Sequence, residues 1–113
     1  MRLGLLFGSQ ATGKATALSD VDVAVDAPGV DVVDLAAELA RALGREVDVV
    51  QLSEAGYPLL KRLLHEAVVV YEATPGAAAG WRAHAIATTE TDRPWFERMR
   101  DAYLKRLASR VAV

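Results

Sequence analysis

The sequence predicts an α/β domain built on a small sheet. Short apolar or alternating runs with strand character recur at Leu3–Phe7, Val21–Val25, Val47–Gln51 and Val68–Tyr71. Helical periodicity fills the intervals, with Leu35, Leu39 and Leu43 in one and Leu59, Leu60, Leu63 and Leu64 in the next. Strands that alternate with helices are the order expected of α/β proteins. The 113 residues, 52% hydrophobic and 25% charged, suffice for one domain with one core.

Each element has its own warrant. Leu3, Leu5, Leu6 and Phe7 form a short apolar strand that stops at Gly8. Ser9 is placed to cap a short helix over residues 10–14, because its hydroxyl can accept from the first unpaired N–H groups. From Asp20 the chain alternates strictly, so Asp20, Asp22 and Ala24 face one way and Val21, Val23 and Val25 the other. Pro28 and Gly29 break the run. Asp31 caps a helix that extends to Leu43 and ends at Gly44. Val47–Gln51 is the third strand. Pro58 fits the first position of the next helix, where no N–H partner is needed; that helix buries its leucines and exposes Lys61 and Arg62. Val68–Tyr71 closes the set. Residues 75–80 read as a small-residue linker, with a helical segment around Trp81–Ala87. A further helix is signalled by Asp92 and Pro94, and carries Phe96, Met99, Tyr103 and Leu107 at helical spacing. The expected organisation is a core over residues 1–74, followed by a linker and C-terminal helical extension over 75–113 packed on the same domain.

Composition excludes several classes. With no cysteine, disulfides and thiolate metal sites are ruled out and a reducing compartment fits. No apolar run approaches the roughly 18 residues of a membrane span, and the N-terminus lacks the pattern of a signal peptide; a cytoplasmic protein with no membrane contact is expected. The net charge of −2 argues against direct nucleic-acid binding. The charge is uneven: residues 20–54 are acidic, which suits cations, and residues 93–110 are rich in arginine, most simply a solvated helix face.

Chemistry concentrates near the start. A strand leads into Gly8-Ser9; ten residues later comes Asp20-Val21-Asp22 on a second strand; and a third strand holds Asp48. Residues i and i+2 of a strand lie about 6.5–7 Å apart on one face, so Asp20 and Asp22 can share one or two cations. A carboxylate set that also shares phosphate ligands suits Mg²⁺, and two such ions can stabilise the attacking and leaving oxygens of an in-line displacement. Asp48 joins the set if its strand lies beside that of Asp22 in register, holding a second metal and helping to deprotonate an attacking hydroxyl. Gly8 lets the backbone approach a phosphate, Ser9 and the N–H groups of the short helix face the anion, and Lys14 reaches a phosphate from the far end of the loop. A lone Asp-x-Asp is usually a solvated strand edge, and a lone Gly-Ser merely a turn. Their coincidence at this spacing points to a nucleoside triphosphate held with Mg²⁺.

The segment FGSQATGKATALSDVDVAV resembles the signature of minimal nucleotidyltransferases of the DNA polymerase β superfamily, in particular the small stand-alone antitoxins of MntA type. The later segment YPLLKRLLHEAVVVYE is similar to the family's helix and closing strand, so the resemblance spans about Leu3 to Tyr71. It implies a nucleotidyltransferase fold: a small mixed sheet flanked by helices, here with an extra C-terminal helix. It implies Gly8 and Ser9 at the triphosphate, and Asp20, Asp22 and Asp48 as the catalytic carboxylates on Mg²⁺. It also implies ATP as donor and transfer of AMP to a hydroxyl, expected to be a tyrosine, of a HEPN-domain toxin, an RNase thereby silenced within a hetero-oligomer. The family often has arginine where Thr12 stands; Lys14 is the cation available along the same loop. Relatives usually begin with a helix before the first strand, a place expected to be filled by an upstream segment or by the C-terminal helix.

Other features carry less. His65 and His84 lack a second ligand at metal spacing and read as structural or solvated. Trp81 and Trp95 suit core or partner contacts better than base stacking. The stripe from Phe96 to Leu107 is expected to pack on the chain's own core, with partner docking as the alternative. Tyr71 and Tyr103 are possible sites of self-modification that nothing singles out. Three other functions compete: an antitoxin that neutralises its partner by binding alone, nucleotide transfer to a small molecule, which is expected to need an acceptor domain the chain is too short to hold, and templated polymerisation, which needs a strand-binding region.

Overall fold

The computed structural model describes residues 1–16 and 19–111, leaving Ala17 and Leu18 of the spacer between Ser9 and Asp20, with the last two residues, outside the description. Four strands, β1 (Leu3–Phe7), β2 (Val21–Asp26), β3 (Val47–Gln51) and β4 (Val68–Glu72), form one sheet in the order β3-β2-β1-β4. β1 is antiparallel to both of its neighbours, whereas β2 and β3 run parallel. The helices are α1 (Ser9–Thr12), α2 (Val32–Leu43), α3 (Tyr57–Glu66) and α4 (Ala77–Val111). This is the mixed sheet flanked by helices, with an added C-terminal helix, that the sequence predicts.

Register sorts the two faces. Leu3, Leu5 and Phe7 of β1 pair with Asp26, Ala24 and Asp22 of β2. On this face the core gathers Leu3, Leu5, Phe7, Ala24, Leu52 and Leu63, with Val50, Leu59 and Trp81 packed against it. Leu3, Leu5 and Leu63 are each at most 1% exposed. The valines of β2 point to the other face, where α2 packs beside β3. The strict alternation of the second strand thus serves two layers, apolar toward α2 and acidic at one end of the α3 face.

α2 has the boundaries its sequence announces. The Asp31 carboxylate accepts from Val33 N and Asp34 N at 2.8 and 3.3 Å, and Gly44 closes the helix in the left-handed conformation. We predict that Asp31→Ala costs about 1 kcal/mol, to be read as a shift of the urea midpoint with unchanged slope. The turn after β2 is clipped by a residue the sequence did not mark: the Gln51 amide donates to Ala27 O at 2.8 Å and accepts from Ala27 N at 3.2 Å.

Two sequence expectations change. α4 is one helix that starts at Ala77 and runs through Pro94, so Gly80 lies within it and Asp92 starts nothing. Proline in a helix removes one donor; here Glu90 and Pro94 are both exposed, so the released carbonyl can bind water. Second, the Phe96 stripe does not pack on the chain's own core. Phe96 stacks on Tyr57, ring centroids 4.6 Å apart, but Met99, Tyr103 and Leu107 are 54%, 66% and 44% exposed. The reason is length. A 35-residue helix spans about 50 Å, while strands of five or six residues cover less than half of that. β4 is an edge strand with Val68–Tyr71 exposed. No helix among the described residues is long and apolar enough to cross a membrane.

Candidate active site

The sequence-predicted carboxylates meet at one end of the sheet. In the parallel ladder Asp22 pairs with Asp48, and across the antiparallel ladder Asp22 pairs with Phe7, the residue before Gly8. Register partners in adjacent strands lie about 4.8 Å apart with side chains on the same face. Asp20 sits immediately before β2, exposed. The Asp22 carboxyl is held above its ordinary 3.8, first by burial, then by the facing charges of Asp48, Asp20 and Glu66, while the Arg62 guanidinium pulls the opposite way.

Gly8 makes the approach possible. Its φ of +74° with ψ −151° is a conformation open essentially to glycine alone, and a Cβ built on it would lie 2.5 Å from Asp22 Oδ2. Backbone and carboxylate are therefore in contact at the turn. The Gly8 carbonyl accepts from Ala11 N and Thr12 N, both at 3.1 Å, and from the Thr12 hydroxyl at 3.2 Å. Thr12, standing where the family often has arginine, is thus a brace of the turn. Ser9 does not cap α1 as expected: Gly8 occupies the cap position and Ser9 is the first helical residue, with no side-chain cap bond. Starting the helix one residue earlier leaves the hydroxyl outside the ring of N–H groups it was to satisfy. Ser9 is half-buried; Lys14, beyond the helix end, is exposed.

The structure brings in two residues that sequence reasoning placed elsewhere or overlooked. Glu66, the last residue of α3, accepts the Gly8 N–H at 3.0 Å through Oε2 and the Arg62 Nε–H at 2.6 Å through Oε1. Arg62 lies over the Phe7 ring, 5.2 Å from its centroid. One of the N–H groups expected to face a phosphate is thus already taken by a carboxylate; those of Ser9 and Gln10 carry no partner among the described residues. The Gln10 side-chain Nε2 nearby is buried without a hydrogen-bond partner as well. The i, i+4 spacing of Arg62 and Glu66 is visible in the sequence as a helix-surface pair; nothing in it says that the pair faces Gly8.

Among the described residues, no three His, Cys, Asp or Glu side chains converge closely enough to cage a metal by themselves. The donor set nonetheless fits Mg²⁺. That ion takes one or two carboxylates and completes its shell with substrate phosphates and water; Asp22 and Asp48, paired beside the Gly8 turn, would be its protein ligands. His65 and His84 are exposed and on separate helices. A concavity of about 320 Å³ lined by Asp26, Leu52, Trp81 and His84 lies toward the Leu3–Asp26 end of the sheet, away from Gly8.

Comparison with solved structures finds the same fold. One described as "Crystal structure of the toxin-antitoxin with AMP-PNP" is 23% identical over 91% of this chain and 86% of its own, with a TM-score of 0.78. A complex from Shewanella oneidensis, tri-AMPylated HEPN toxin with MNT antitoxin, is 24% identical over 91% and 82%, TM-score 0.73. A toxin-antitoxin MntA-HepT structure is 24% identical over 91% and 83%, TM-score 0.72. No curated protein matches. Residues 2–75, all four strands and the Gly-Ser and Asp-x-Asp elements among them, match the family model described as "Polymerase beta, Nucleotidyltransferase", and the chain belongs to that family.

Proposed function

We propose that this protein transfers AMP from ATP to a hydroxyl, a tyrosine by preference, of a HEPN-domain toxin and so acts as its antitoxin. The observation that carries the reading is the pairing of Asp22 with Asp48 beside the Gly8 turn. Membership of the nucleotidyltransferase family gives the reaction class. The AMP-PNP complex and the AMPylated HEPN toxin among the structural neighbours support the donor and the acceptor.

The residues divide the work. The triphosphate lies against the Gly8 turn and is received by the Ser9 hydroxyl and the N–H groups of Ser9 and Gln10, with exposed Lys14 as a counter-charge. Asp20, Asp22 and Asp48 would hold Mg²⁺, which when bound supplies charge stabilisation at the attacking and leaving oxygens. The acceptor hydroxyl oxygen bonds to the α-phosphorus as the bond from that phosphorus to the β-phosphate oxygen breaks. Pyrophosphate leaves with that electron pair, and the hydroxyl proton passes to the Asp48 carboxylate. The exposed outer half of α4, with Met99, Tyr103 and Leu107, is the surface offered to the partner.

The test is intact-mass measurement of the HEPN-type partner after incubation with this protein, Mg²⁺ and ATP. Added AMP masses are expected, and none without Mg²⁺. A stable complex with no mass added would replace the transferase by an antitoxin that works by binding alone.

A further inference from the structure

The Arg62–Glu66 pair is built into the site rather than laid on the surface. Glu66 spends both carboxylate oxygens, one on Gly8 N–H and one on Arg62 Nε, and its side chain is only 13% exposed. Arg62 is steered from two sides, by that ion pair and by the Phe7 ring beneath it, a stacking that guanidinium groups favour. Its Nη2 lies 3.4 Å from the point where a Gly8 Cβ would stand, the same point that is 2.5 Å from Asp22 Oδ2. The guanidinium edge therefore looks into the gap between the turn and the carboxylates. Among the described residues its hydrogen bonding runs through Nε alone, and the side chain is 51% exposed, so the outer edge of the fork is open to a ligand.

A triphosphate arriving here meets Asp20, Asp22, Asp48 and Glu66, all anionic. A fixed guanidinium aimed at the turn is the group that offsets this. We propose that Arg62 is a nucleotide-binding residue: its Nη groups take a phosphate oxygen of ATP at the Gly8–Ser9 turn, while Glu66, bonded to Nε and to the Gly8 N–H, ties the guanidinium to the turn. Arg62 then does from α3 what the threonine at position 12 cannot do from the loop. The assignment deepens the nucleotide reading of the site and rests on it.

Isothermal titration of the full chain with Mg·ATP tests it, with thermal unfolding run on each variant. Arg62→Gln is expected to weaken binding about ten- to a hundredfold, the effect of losing a charge-assisted, partly desolvated contact, with the melting temperature nearly unchanged. Arg62→Lys should recover part of the affinity, because the charge returns without the fork. Glu66→Gln, which keeps an acceptor for Gly8 N–H, should lose less than Arg62→Gln. Lys61→Gln, on the neighbouring exposed position, should bind as the unaltered protein. Arg62→Gln binding Mg·ATP normally would overturn the assignment alone. So would equal losses in Arg62→Gln and Glu66→Gln accompanied by equal drops in melting temperature, which would make the pair a structural brace. Absence of Mg·ATP binding by the unaltered protein would overturn the nucleotide reading and this assignment with it.

Discussion

Asp22→Asn is expected to abolish AMP transfer, by about a thousandfold or more, while leaving the metal-free protein at least as stable at pH 7. The two halves have one cause. Asp22 is the aspartate in contact range of the Gly8 backbone and lies across from Asp48. Losing a ligand that brings charge stabilisation to the reacting oxygens removes several kcal/mol from the transition state, and each 1.36 kcal/mol is tenfold in rate. The fold, by contrast, gains nothing from the ionised group. Its native pKa lies above 3.8 because of burial and the charges of Asp48, Asp20 and Glu66. A carboxyl that binds its proton more tightly in the native state stabilises the fold below 3.8, and that contribution is lost as pH rises through the raised native value. At pH 7 the ionised group is a liability of the apo protein, and amide in its place relieves it. Differential scanning of both proteins against pH should therefore show the unaltered chain losing stability relative to Asp22→Asn as pH climbs from about 4 toward neutrality. Mg²⁺ should raise the melting temperature of the unaltered protein and not of the variant. Transfer that survives in Asp22→Asn, or a variant that melts several degrees lower at pH 7, would remove Asp22 from the role given to it.

How much of this was legible in the sequence depends on the range of the interaction. α2 reads directly, because Asp31 and Gly44 act on their own helix ends. The faces of β2 read directly too, since alternation is a property of the strand alone. The meeting of Asp22 and Asp48 needed one long-range fact, that β2 and β3 pair in parallel and in register, and the sequence supplied it only as a condition. Arg62 and Glu66 lay beyond reach. Gly8 and Glu66 are 58 residues apart, and an Arg-Glu pair at i, i+4 looks the same on a solvated face as over a site. The errors in α4 have the same origin. Pro94 is a local start signal that the helix overrides, and an apolar stripe indicates a buried face only if there is enough protein to bury it. Here the sheet ends before the helix does.

Gly8→Ala carries the second large effect, and its interest lies in where the cost falls. The residue needs φ +74° with ψ −151°, a conformation essentially reserved to glycine that costs a residue with a β-carbon about 1–3 kcal/mol. The Cβ would also stand 2.5 Å from Asp22 Oδ2, too close to coexist. The obstructing atom belongs to the end of a side chain and not to backbone, so the carboxylate can rotate away while β1 and β2 keep their ladder. Urea unfolding should then show a cooperative protein weakened by about 1–3 kcal/mol. Transfer should fall at least a hundredfold, because the displaced carboxylate is the metal ligand and the same methyl crowds the path of the triphosphate. Affinity for Mg·ATP should drop with it. A Gly8→Ala protein that unfolds outright would mean that the turn is held by packing the structure does not single out. One that transfers AMP normally would mean that phosphate does not approach the backbone at Gly8, and the turn would lose its place in the mechanism.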